Sequence, residues 1–283
     1  MPSERIWKVS DVIKWTSDFF LKKKIENPRV TSELLLAEVM ETDRTHIYIK
    51  WNEVLDNYTL GKYREYINRV VQGEPVSYVL GHHRFMKWEF KVDSSVLIPR
   101  FETEELVEMV VSDLKDKKGV LLDLCTGSGV IGITLGKYLK NFSIMASDIS
   151  EKAVEIARIN ASNMEMNDKI TFFTGDFLSP LADRMEEIDY IVCNPPYVGK
   201  TEVDLMGKST LEYEPHIALF AGDDGLDFYR KFVDSKDMLK GKVIYLEYGF
   251  SQKEALENLF KDHFKMSFHK DVYGHWRFVK LEI

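Results

Sequence analysis

Two periodicities divide the chain. Over the first seventy or so residues, apolar side chains recur at helical spacing. Val12, Ile13, Trp15, Phe19 and Phe20 follow Ser10, read as an N-cap, and Lys22-Lys23-Lys24 closes the helix where cations suit the dipole. A second helix is expected from Thr31 or Ser32 through Leu34, Leu35, Leu36, Val39 and Met40. A further one runs from about Thr59 to Val71 through Leu60, Tyr63, Tyr66, Ile67 and Val70, until Gly73 and Pro75 stop it. The spacing predicts a small helical bundle domain over residues 1–73. Between 74 and 98 the helical period is lost and short alternating runs appear, such as Trp88-Glu89-Phe90-Lys91-Val92, so a β-hairpin linker is expected there.

Beyond Arg100, strands alternate with helices. That order calls for an α/β domain over residues 99–283, with a mainly parallel, Rossmann-like sheet covered on both faces. Seven strands are expected, at Val120–Leu124, Ser143–Ser147, Lys169–Phe173, Asp189–Cys193, Lys242–Glu247, Lys265–His269 and His275–Leu281. Only Asp271-Val272-Tyr273-Gly274 separates the last two, too little for a helical crossover, so they should pair antiparallel at the sheet edge.

Composition narrows the function classes. The length of 283 residues suits about two domains, and 45% apolar residues can build a full core without disulfide or metal staples. Lys and Arg number 38 against 46 Asp and Glu, a net charge of −8, which disfavours a surface gripping nucleic acid by phosphate contacts alone. No stable nucleic-acid binding is expected, although local basic patches remain open. Two cysteines, Cys125 and Cys193, each within an apolar run, argue for a reducing cytoplasmic setting. The N-terminus shows no signal-peptide core, and no run of 18 apolar residues marks a membrane span. The seven histidines show no metal-ligand spacing, so no metal is expected.

The first strand of the α/β region runs into Asp123-Leu124-Cys125-Thr126-Gly127-Ser128-Gly129-Val130-Ile131-Gly132, a glycine-rich turn that opens a helix. Gly127, Gly129 and Gly132 satisfy a dinucleotide fingerprint, and Asp148 closes the second strand, where an acid would take two ribose hydroxyls. Charge separates the candidate ligands. Asp123, Asp148 and Asp176 would ring the pocket with three carboxylates, which repel a pyrophosphate but attract an ammonium and a sulfonium. The pattern favours S-adenosylmethionine, with Gly127 and Gly129 beside its methionine part and Asp123 reaching its ammonium directly or through water. Asp176 would then lie at the adenine amine and Phe177 along the ring. Cys125 reads as a small packing residue rather than a nucleophile.

The fourth strand runs directly into Asn194-Pro195-Pro196-Tyr197. A planar amide or ring NH2 is a poor nucleophile because its lone pair is delocalised. Two acceptors, the Asn194 side-chain oxygen and the Pro195 carbonyl, can each take one N–H and return electron density to the nitrogen. Prolines at 195 and 196 remove competing donors, and Tyr197 offers a wall for the planar group. Glu247, closing the fifth strand, is either an acid behind this site or a turn residue.

Taken together, several segments resemble the HemK/PrmC family. They are Gly73-Glu74-Pro75 with Tyr78 and Gly81, Leu97-Ile98-Pro99-Arg100-Phe101-Glu102-Thr103-Glu104, the Asp123–Gly129 loop and Asn194-Pro195-Pro196-Tyr197-Val198. Tyr213-Glu214-Pro215 with Ala218-Leu219, and Asp224-Gly225-Leu226-Asp227-Phe228-Tyr229-Arg230, complete the likeness. The resemblance implies a class I methyltransferase fold and methylation of the Gly-Gly-Gln glutamine of class-I peptide chain release factors, giving N5-methylglutamine and modulating translation termination. It implies a protein substrate docked partly by the N-terminal helices. Cofactor contacts would fall on Cys125, Thr126, Gly127, Ser128 and Gly129 through backbone, and on Asp148, Phe177 and Asn194. The glutamine would fall on Asn194, Pro195, Pro196 and Tyr197. Phe101 replaces a usual proline and Phe177 a usual tryptophan, and neither change removes a hydrogen-bonding group. Glu102-Thr103-Glu104 favours release factors over a ribosomal-protein glutamine. An adenine-N6 methyltransferase would share the Asn194 motif but should carry a basic recognition region, and a cofactor-binding regulator would have no reason to keep Asn194. A monomer is expected.

Overall fold

The computed structural model describes residues 6–283. The chain forms two units, one running to Gly81 and including Lys208–Tyr213, the other comprising His82–Gly207 and Glu214–Ile283. No helix among the described residues is long and apolar enough to cross a membrane.

The first unit holds α1 (Val9–Lys22), α2 (Pro28–Val39), α3 (Asn57–Val71) and α4 (Val76–Leu80). In α1 the buried side chains are Val9, Val12, Ile13, Thr16 and Phe20, a stripe at helical spacing that meets Leu35, Leu36, Tyr63 and Ile67 in one core. Helix starts differ slightly from expectation. Lys8, not Ser10, caps α1, with its N–H donating to Asp11 Oδ2 at 3.2 Å. Helix α2 starts at Pro28, whose fixed φ and missing N–H suit a first turn, rather than at Thr31 or Ser32. Asp56 caps α3 by accepting from Thr59 N at 2.7 Å. Residues 74–98, read from sequence as a hairpin linker, are divided instead: α4 falls in the helical unit and only residues beyond Gly81 belong to the second.

In the second unit the chain runs β1 (His82–Phe85), β2 (Trp88–Lys91), α5 (Phe101–Leu114), β3 (Gly119–Leu124), α6 (Val130–Tyr138), β4 (Phe142–Asp148), α7 (Glu151–Asn163), β5 (Ile170–Thr174) and β6 (Tyr190–Cys193). It then gives α8 (Lys208–Tyr213) to the helical unit, where Ser209 Oγ donates to Gly73 O at 2.7 Å and Tyr213 OH to Gln72 O at 3.2 Å. It returns as α9 (Asp227–Asp234), β7 (Val243–Glu247), α10 (Lys253–Phe260), β8 (Lys265–Lys270) and β9 (Trp276–Glu282).

Strands β1 and β2 form the expected hairpin, and the other seven make one sheet in the order β5-β4-β3-β6-β7-β9-β8. Every pairing from β5 across to β7 is parallel, while β9 runs antiparallel between β7 and the edge strand β8. Both faces are covered, which is why these strands read as continuous apolar runs. Leu121, Ile144, Val192 and Tyr245 share a core with Leu106, Val110 and Ile131, from α5 and α6. Leu122, Cys193, Ile244 and Leu246 share one with Tyr229, Phe232, Leu256 and Phe260, from α9 and α10.

Candidate active site

From β3 the chain winds outward through β4 and β5, then returns to place β6 on the other side of β3. Open α/β sheets bind ligands beyond the carboxyl ends of the strands at such a reversal. Here that point holds a cavity of about 370 Å³, lined by the turns after β3, β4, β5 and β6 together with Arg100 and Thr103 of the α5 start. The size falls within the ~300–1,000 Å³ usual for small-molecule sites.

The turn after β3 is shaped by Asp123 from below. Its Oδ2 accepts from Thr126 Oγ1 at 2.6 Å and from Gly132 N at 2.8 Å, while Oδ1 has no protein partner. The side chain is fully buried, and burial pushes its carboxyl up to about 7. Asp123 therefore does not line the cavity, so of its two expected routes to a ligand ammonium the direct one is not offered. A strand directs its side chains to the sheet faces rather than past its end, and Asp123 shares the α6 face with Leu121. Gly132 must be glycine for this arrangement, since a Cβ there would sit 2.9 Å from Asp123 Oδ2.

Above that acid, the residues that line the cavity are Cys125, Thr126, Gly127 and Ser128. Cys125 holds a left-handed φ of 61°, and Gly129, at φ 84°, caps α6 behind the lining. A Cβ on Gly127 would meet nothing within 4 Å, which leaves its backbone open to an approaching molecule. The Ser128 and Ser147 hydroxyls are buried without a protein partner, and both residues belong to the lining.

Asp148 lines the cavity where the sequence placed it. Its Oδ2 accepts from Gly127 N and its Oδ1 from Ser150 N, both at 2.9 Å, and burial raises its pKa. Asp176 also lines the cavity but is paired with Lys231 at 2.6 Å, a lining residue the sequence did not bring forward. The three-carboxylate ring is thus revised: one acid lies behind the loop, one is paired, and Asp148 keeps its place without a side-chain cation among the described residues. Phe177 serves two surroundings. It lines the cavity at a left-handed φ of 50° and packs edge-on against Phe228 and Phe232, with centroids at 5.4 and 5.0 Å.

Asn194 and Pro196 line the same cavity, whereas Pro195 is buried outside the lining and no protein donor among the described residues takes its carbonyl. The Tyr197 ring, expected as a wall for the substrate, packs instead on the sheet core, and its carbonyl accepts from Gln252 Nε2 at 2.8 Å. Residues just beyond hold the loop in place: Val198 N donates to Leu219 O at 2.9 Å and Ala221 N to Val198 O at 3.0 Å. Gly225, at φ 75°, passes so near that a Cβ would lie 2.3 Å from Tyr197 O.

One chain of polar groups was not legible. Asn194 Nδ2 donates to Thr103 Oγ1 at 2.9 Å, and Thr103 Oγ1 donates to Glu247 Oε2 at 2.7 Å. Thr103 and Glu247 are both buried, and burial pushes the Glu247 carboxyl up to about 7. At the rim, Arg100 is held by Glu214, which also accepts from Ile98 N, at 2.7 and 3.1 Å respectively. Glu247 is thus an acid behind the site rather than a turn residue. The only signals for it were its place at a strand end and the Glu102-Thr103-Glu104 segment.

Among known proteins, residues 11–81 match a family model described as the PrmC N-terminal domain, and residues 101–212 one described as the methyltransferase small domain. A release factor glutamine methyltransferase of Clostridium acetobutylicum is 35% identical over 259 residues, covering 90% of this chain and 88% of that one. The protein of the same name from Bacillus anthracis is 33% identical over 288 residues, covering 98% and 99%. That from Lactococcus lactis subsp. lactis is 38% identical over 223 residues, covering 77% and 81%. Of solved structures, the hMettl16 catalytic domain in complex with MAT2A 3'UTR hairpin 1 superposes with a TM-score of 0.57 at 16% identity. It covers 68% of this chain and 74% of that one, a likeness of fold.

Proposed function

The chain belongs to the family of release factor glutamine methyltransferases, and we propose that it transfers the methyl group of S-adenosylmethionine to the Gly-Gly-Gln glutamine of class-I peptide chain release factors. The observation that carries this reading is the Asn194 amide, which lines the cavity with its nitrogen already engaged by Thr103. An amide so engaged has its oxygen left to accept.

The cofactor, when bound, supplies a methyl group made electrophilic by its sulfonium. The lining fits such a molecule. Gly127 offers open backbone, Asp148 an acceptor for ribose hydroxyls, Ser128 and Ser147 unpartnered hydroxyls, and Phe177 an aromatic face. On the substrate side, Asn194 Oδ1 and the Pro195 carbonyl would each take one N–H of the target glutamine and hold its nitrogen in line. Both acceptors draw density onto that nitrogen as the bond forms, and the proton it then carries becomes acidic enough to leave to water. Orientation supplies most of the rate. Tyr197 and Gln252 would hold the loop that presents both acceptors. The helical unit would grip the release factor, and exposed apolar side chains such as Ile49 and Tyr58 support that part.

Incubation with methyl-tritiated cofactor and a release factor tests the reading. Label should enter the intact factor and spare its loop Gln→Ala variant. Label in both, or in nucleic acid and not in the factor, would overturn it.

A further inference from the structure

An amide side chain is nearly symmetric in shape but opposite in charge at its two ends. Turned one way, Asn194 offers the cavity an acceptor; turned the other, it offers an NH2 that would face the target's own NH2. Something must choose between the two. Within hydrogen-bond reach that choice is made from Glu247. An ionised carboxylate only accepts, so Thr103 must donate its single proton to it, at 2.7 Å. The Thr103 oxygen is then an acceptor, and Asn194 must turn its nitrogen toward it, at 2.9 Å.

We propose that Glu247 and Thr103 are positioning residues that set the direction of the Asn194 amide, so that its oxygen faces the nitrogen to be methylated. The inference rests on the proposed role of Asn194 as acceptor. It extends that role to two buried side chains, 91 and 144 positions apart along the chain in the two links.

The charge on Glu247 is the control. Burial places its titration at about 7, against the opposing pull of Arg277 on β9 and Arg100 before α5. Glu102 on α5 raises it further, Tyr197 lies close enough to feel its charge, and Tyr229 of α9 donates to its backbone carbonyl at 2.8 Å. Once protonated, Glu247 can donate to Thr103 Oγ1. The threonine proton is then free to point at Asn194, and the amide can turn over. The wild-type kcat should therefore rise with pH through the Glu247 titration.

Three variants test this. Thr103→Val keeps the shape and removes both bonds. It should lower kcat about 10–100-fold, less than the ~10²–10³-fold lost with a group that itself touches the developing charge, with cofactor affinity within about threefold. Thr103→Ser should restore most of the rate. Glu247→Gln should flatten the rise of kcat between pH 6 and 8. A second readout does not depend on activity: the side-chain NH2 signal of Asn194 in 15N-asparagine-labelled protein, assigned by its loss in Asn194→Asp. In wild type it should be protected relative to the intrinsic exchange rate at each pH, and more strongly protected at pH 8 than at pH 6; in Thr103→Val the protection should be lost at both. The proposal fails if Thr103→Val keeps kcat within twofold, if Thr103→Ser is no better, if Glu247→Gln keeps the wild-type pH profile, or if the signal ignores Thr103. A wild-type protein that labels no release factor would sink the preceding reading while the amide signal still decides this one.

Discussion

One buried carboxylate of the helical unit and two behind the cavity of the sheet unit are held under opposite rules. In the helical unit Glu33 is 1% exposed and receives Arg29 Nε at 2.9 Å, Arg44 Nε at 2.7 Å and the Tyr48 hydroxyl. Burial lifts its pKa, but those three bonds outweigh burial and hold the carboxyl below its ordinary range. In the sheet unit, Asp123 and Glu247 are buried as deeply yet receive only hydroxyls and a backbone N–H, and both are pushed up to about 7. A buried acid that only has to hold a fold is matched by guanidinium groups. Those behind the cavity are left at the edge of titration, where a small change in pH alters which neighbours they can serve.

The comparison can be broken at several points. The largest effect is expected from Glu33→Ala, about 3 kcal/mol of lost stability in denaturant unfolding. That lies at the low end for a broken buried pair, because Arg29 and Arg44 are 65% and 50% exposed and can rehydrate. A loss under about 1 kcal/mol would put Glu33 in the same class as the other two. Gly132→Ala would set a Cβ 2.9 Å from Asp123 Oδ2 and 3.0 Å from its Cβ. It should cost about 2 kcal/mol and weaken cofactor binding by calorimetry, as the turn above shifts.

The third effect is a pH slope. Asp123 and Glu247 titrate near 7 when folded and at about 4 when unfolded. Between those values the folded chain holds protons that the unfolded chain has released. Their contribution to stability is whole below about pH 4 and is lost as pH rises through about 7. Unfolding midpoints for wild type should fall from pH 5 to pH 8, and Glu247→Gln should fall less steeply. The smallest effect is that of Asp123→Asn, whose oxygen can keep both bonds. Stability should change by less than about 1 kcal/mol at pH 5 and rise at pH 8. A large loss at both would mean the charge itself holds the turn.

Much of the sheet was legible because each strand is an apolar run cut off by turn residues. Every expected strand is present with its ends within a residue or so, and the short turn before His275 correctly gave the antiparallel pair β8–β9. Helix α4 was missed because five residues between Pro75 and Gly81 carry less than two turns of period. At the site, Asp148 and Asn194 could be placed because a strand end and a motif fix them. Asp123 was misplaced because sequence locates a residue on a strand without saying that its side chain leaves by the sheet face. The Lys231–Asp176 pair and the Thr103–Glu247 link join residues 55 and 144 positions apart, and no local pattern announces such a meeting.

The excursion of Lys208–Tyr213 has a consequence for how such a protein can be reassembled from parts. The chain passes between the two units three times, after Gly81, after Gly207 and after Tyr213. A gene that exchanged its 5′ portion by a single crossover near Gly81 would bring in a foreign turn at 72–73, and the native Ser209 and Tyr213 hydroxyls, which donate to two backbone carbonyls there, would keep their bonds only where that turn follows the same path. The heritable module is therefore two segments, more than a hundred codons apart. A chimera that transplants both should keep those bonds, whereas one that transplants only the first inherits half of a matched pair.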